Sequence, residues 1–164
     1  MECQHAKMLD YDQRYFRDTQ FYSKRYKRDN KVYFLTLSTK LLKNIDNSFQ
    51  THFYVYELLS NVYKPSFIEI HVNFCDLMKQ DTLFSRAIKS TDYKAFTQCP
   101  LPPGDYVLAN MTAPYGPFLR TFPFKQGRLY VNLTNKSNKL LGSLYTDIKI
   151  TELNAKDFYK YIKL

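Results

Sequence analysis

Three histidines and three cysteines are the residues best able to do chemistry in this 164-residue chain. His5, His52 and His71 lie too far apart in sequence to share a metal-ligand spacing. No H-x-x-x-H, C-x-x-C, G-x-S-x-G or P-loop pattern occurs. With only 4 glycines there is little from which to build a phosphate-cradling loop. Asp and Glu are scattered, and no pair is placed as an acid and a base. The chain therefore reads as a non-enzyme, with no catalytic residue, metal ligand or cofactor. His71 falls on the polar side of its segment and reads as a surface imidazole.

Cys75 and Cys99 enclose a helix-like stretch. A bridge between them would stabilise the fold by roughly 3–4 kcal/mol and clip that stretch to its neighbours. Two buried reduced thiols are the other reading, and Cys3 has no evident partner. Charge gives a broader indication. Twenty-four Lys and Arg against 15 Asp and Glu give +9, a balance that favours polyanionic neighbours. The run Lys24-Arg25-Tyr26-Lys27-Arg28 could stack on a single-stranded nucleic acid. It is short, however, and Asp18 and Asp29 flank it; lysines at a strand edge also discourage unwanted pairing. Nucleic acid is not the expected partner.

The elements that must position these residues follow a period of two. Ile68, Ile70, Val72 and Phe74 alternate with Glu69, His71 and Asn73. Leu129, Val131 and Leu133 alternate with Arg128, Tyr130, Asn132 and Thr134, and Leu144, Thr146, Ile148 and Ile150 form a third set. Such alternation marks strands with one face buried and one wet. Val32–Thr39, His52–Tyr56 and Tyr106–Met111 are also β-rich, and one strand is expected within Tyr15–Tyr26. Asp76–Ile88 is spaced more like a short helix, and Asn154–Leu164 could be a second. A mostly β, antiparallel domain spanning residues 1–164 is expected.

No apolar run approaches the ~20 residues needed to span a bilayer. Met1-Glu2-Cys3-Gln4-His5 carries no basic-then-apolar leader, which suits a cytosolic protein or a mature chain with an added Met. Three glycosylation triplets, at Asn110, Asn132 and Asn135, favour the second. Aromatic residues reach 17%, and Ala113–Phe124 is apolar despite three prolines. Either a packed core with an exposed interface patch or an apolar cavity with this loop at its mouth would use so many large side chains.

The sequence Cys99-Pro100-Leu101-Pro102-Pro103-Gly104-Asp105-Tyr106 resembles the C-P-x-x-x-G-x-Y motif of the ganglioside activator family and its insect CheB-type relatives. Phe122-Pro123, Gly127-Arg128-Leu129-Tyr130-Val131 and Lys139-Leu140-Leu141-Gly142 follow in the family's order. Upstream, Tyr63-Lys64-Pro65 and Cys75-Asp76-Leu77 resemble the insect branch. Residues 1–30 match poorly, and Ser143 stands where the activator has a cysteine.

The resemblance implies a secreted two-sheet β-cup with one short helix and an apolar cavity for a lipid or other apolar molecule, and a match for Cys75–Cys99 in the family's disulfides. It further implies a role in insect contact chemosensation and pheromone perception. Inward positions would be Leu35, Leu37, Phe53, Val55, Ile68, Ile70, Val72, Leu129, Val131, Leu144 and Ile148. Tyr115, Phe118, Leu119 and Phe122 would form the mouth. A monomer is expected, with membrane-surface or receptor contacts as further partners. The rival is a basic module without a cavity that binds a polyanion or a protein. Salt would weaken polyanion binding steeply and leave apolar binding nearly unchanged.

Overall fold

Strict alternation becomes antiparallel pairing in the computed structural model, which describes residues 1–26, 32–79, 98–112 and 122–151. The strands are β1 (Glu2–Tyr11), β2 (Phe16–Lys24), β3 (Phe34–Leu41), β4 (Gln50–Leu59), β5 (Val62–Asn73), β6 (Gly104–Met111), β7 (Gln126–Thr134) and β8 (Leu140–Lys149). A short helix, α1 (Phe74–Lys79), follows β5. One sheet has the order β1-β8-β7-β4-β5 and the other β2-β3-β6. The fold is mostly β, with two antiparallel sheets and one short helix, as expected. Among the described residues no helix is long and apolar enough to cross a membrane.

The register explains which side chains meet. Phe53 pairs with Ile70 on one side and Val131 on the other, and Val131 pairs with Leu144. These residues share the inner face of the five-stranded sheet. A Cβ at Gly127 would overlap the Tyr56 carbonyl, so glycine lets β7 lie close to β4 there.

Two elements differ from the sequence reading. Residues 2–11 carried no expectation of a strand, yet β1 pairs along β8. Its register shifts between Gln4 and Lys7 and again between Met8 and Asp10, which destroys the alternation. The helix begins at Phe74, two residues earlier than expected. The rest of Asp76–Ile88, Lys27, Arg28 and the 154–164 segment lie outside the described residues.

One end of the sandwich is packed tight. Leu141 is 1% exposed, and Leu41 and Ile45 are each 2% exposed. Ile45 and Leu101 form an isolated bridge between the lead-ins to β4 and β6. The β1–β2 turn, the β3–β4 connection and the disulfide-bonded pair Cys75–Cys99 all join the two sheets at this end. The β6–β7 connection crosses at the other end. Cys75–Cys99 is the bridge the sequence had left open. Cys3 is free and buried, and burial pushes its thiol pKa up to about 11.

Candidate ligand cavity

Between the sheets lies a cavity of about 340 Å³. Leu35, Leu37, Phe53, Val55, Ile68, Ile70, Leu129, Val131, Leu144 and Ile148 line it, as does Phe122. Val72 does not. It shares the face of Ile70 but lies beside α1, where it packs against the cluster at the tight end. Tyr115, Phe118 and Leu119 fall outside the described residues, although Thr112 and Phe122, which flank that segment, both line the cavity. Among the described residues, the two inner faces line a space between them.

The lining has contributors that sequence reasoning missed. Met8 comes from β1, Phe21 from β2, and Leu108 and Met111 from β6. Register shifts hide them: Leu35 pairs with Met111 but Leu37 with Leu108, so one extra residue sits in β6. Asn110 occupies that step with φ 58, a conformation Asn adopts more readily than most residues. Several lining hydroxyls are already used. The Thr19 and Thr39 hydroxyls bond each other at 2.6 Å, and Thr146 donates to the Gln4 carbonyl at 3.0 Å. No charged side chain of the described residues lines the cavity.

The outer face of the five-stranded sheet is aromatic and polar. Arg128 is held by Asp147 at 2.6 Å, with its guanidinium 4.2 Å from the Tyr63 ring and 4.0 Å from Tyr145. The basic run is also engaged: Tyr26 packs edge-on against Phe34, and the Lys24 ammonium lies 4.8 Å from its ring. Its aromatic ring is therefore committed within the protein. Among the glycosylation triplets, Asn132 accepts a hydrogen bond from Ser143, Asn135 accepts from the Ser137 and Lys139 amides, and Asn110 accepts from the Tyr26 hydroxyl.

His52 and His71, distant in sequence, meet across β4 and β5 with Nδ1 atoms 2.6 Å apart. His52 Nε2 lies 2.8 Å from Thr134 Oγ1, and His71 Nε2 lies 2.6 Å from Glu69. This chain closes with both rings neutral if Thr134 donates to His52, His52 to His71, and His71 to Glu69. Among the described residues no group of three or more His, Cys, Asp or Glu could hold a metal ion.

Burial, and then the neighbouring His71, lowers the His52 pKa, against a smaller opposing effect of Glu69. The unfolded chain therefore takes up this proton near pH 6.5 while the folded one resists it. Stability should fall as pH drops from 7 towards 5, and His52→Gln should flatten that fall. Urea unfolding at the two pH values measures both slopes; equal slopes would remove His52 from the account.

A family described as "Protein of unknown function (DUF1091)" matches residues 49–131, half of the chain. The chain belongs to this family. The matched region of this DUF1091 protein holds β4, β5, α1, the disulfide, β6 and the first part of β7. The match names neither the ganglioside activator nor the CheB proteins. No curated protein matches the sequence.

Solved structures resemble it loosely. A Niemann-Pick type C2 protein from the Japanese carpenter ant overlays with a TM-score of 0.38 and 11% identity, covering 83% of this chain and 91% of that one. Chicken MD-1, solved in complex with lipid IVa, overlays with a TM-score of 0.40 and 9% identity, covering 90% and 99%. The functional reading rests on the cavity.

Proposed function

We propose that this protein is a non-enzymatic carrier which takes one apolar chain molecule into the cavity between its sheets. The observation that carries the reading is the 340 Å³ space itself, bounded by apolar side chains from both sheets. A cavity of this size and lining suits a single apolar chain, and each methylene buried contributes about 0.8 kcal/mol. Ligand contacts would come from the ten inward residues that the sequence reading assigned and that line the cavity. Phe122, with Tyr115, Phe118 and Leu119, would form the mouth.

The Cys75–Cys99 bridge supports an extracellular setting, since such bonds persist in oxidising compartments. Glycosylation at Asn110, Asn132 or Asn135 belongs to the same setting. The motif resemblance extends the reading to insect contact chemosensation, with a monomer delivering its cargo to a membrane surface or a receptor.

Mass spectrometry of organic extracts from protein secreted by insect cells, against a mock purification, tests the carrier reading. A stoichiometric lipid or hydrocarbon is expected. A preparation that contains none, and that also refuses fluorescent fatty-acid probes, would overturn it.

A further inference from the structure

The cavity wall contains a hydroxyl that the described residues leave unpaired. Thr51 lies on β4, two residues before Phe53 and on the same inner face, and is 5% exposed. Its cross-strand neighbours, Val72 and Leu133, have no polar side-chain atoms to offer. β4 is flanked by β5 and β7, so the backbone around Thr51 is committed to the ladder.

Among the described residues, four lining residues that bear a hydroxyl are more than nine-tenths buried: Thr51, Tyr106, Thr112 and Thr146. Tyr106 donates to the Pro102 carbonyl at 2.5 Å and Thr146 to Gln4. The Thr51 and Thr112 hydroxyls have no hydrogen-bond partner among the described residues. Thr151 Oγ1 is the unpaired side-chain oxygen that is fully sealed among the described residues, whereas Thr51 Oγ1 is unpaired without being sealed. Thr112 lies at the end where the β6–β7 connection crosses, and Thr51 lies at the tight end.

We propose that Thr51 holds a neutral oxygen of the bound chain at the tight end of the cavity, making the protein selective for alcohols, aldehydes, ketones or esters over plain hydrocarbons. This rests on the carrier reading above. A threonine hydroxyl both donates and accepts, so it serves carbonyl and hydroxyl oxygens alike. An ionised carboxylate is disfavoured there, because no charged side chain of the described residues lines the cavity to compensate its lost hydration. A plain hydrocarbon would leave the Thr51 hydroxyl buried without a partner, which is unfavourable.

The test is a displacement titration of the full chain loaded with N-phenyl-1-naphthylamine, using dodecanol and dodecane as competitors. The wild type should prefer dodecanol by roughly tenfold, the size expected of one buried hydrogen bond. Thr51→Val, which keeps the shape and removes the hydroxyl, should lose that preference while binding dodecane at least as well. Thr51→Ser should keep it, and Thr51→Ala reads the same loss if the valine variant misfolds. A wild type without preference, or a hydroxyl-free variant that retains it, overturns the role of Thr51 and leaves the carrier reading standing. Failure of both competitors and the fluorescent probe to bind overturns the carrier reading itself.

Discussion

Val131→Trp should weaken binding of apolar chains by close to a hundredfold and leave the melting temperature within a few degrees of wild type. Val131 sits at mid-length on β7, paired with Phe53 and Leu144, with its side chain bordering the cavity. The extra indole volume has open space to enter, so it should displace ligand instead of forcing packed neighbours apart. It takes the room of about three methylenes, each worth about 0.8 kcal/mol of burial. The loss of affinity should approach a hundredfold on that count. Leu141→Trp is the contrasting variant: Leu141 is 1% exposed at the packed end, and the same ring there should unfold the protein. Thermal melts and probe titrations of both variants decide the matter. A Val131→Trp protein that melts as early as Leu141→Trp would mean that mid-length of the sandwich is packed core.

The double substitution Cys75→Ser, Cys99→Ser should lower stability by about 3.5 kcal/mol on the loop-entropy model. The bonded cysteines are 24 residues apart, so the reduced chain regains the freedom of a loop of that size when unfolded. For a chain of this length, such a loss corresponds to a fall in melting temperature of roughly 10 °C. Scanning calorimetry of the variant beside wild type measures it. A change of a degree or two would show that the remaining contacts at this end, including the Ile45–Leu101 bridge, hold it without the covalent tie.

Much of the large sheet was legible in the sequence because β7 and β8 alternate through their central residues and β5 does so from Phe67 onward. Each has an inner apolar face, and period two exposes that arrangement directly. β1 and β2 were harder for a physical reason. Positive φ at His5 and Asp18 accompanies register shifts in both strands, so inner and outer positions change places partway along.

The cavity residues on the regular strands were legible, and Val72 shows the limit. Alternation reports which face a side chain occupies, but not whether that face meets a void or a packed cluster. Thr51 was hidden differently: in sequence it is one more polar residue beside His52. Only the register, with Val72 and Leu133 on either side, shows that its hydroxyl has no polar side chain across from it.

Three of the four crossings between the described strands of the two sheets lie at one end, so the sandwich is pinned unevenly. Along one edge β1 also packs beside β2, with the Ala6 amide donating to Ser23 Oγ, and the end where the β6–β7 connection crosses is the less closed of the two. Cargo shape is then judged unevenly along its length. A branch or ring near the pinned end would meet the packed side chains around Leu41, Ile45 and Leu141, whereas fewer crossings confine bulk at the other end. Chains that differ only at their outer ends would be carried alike.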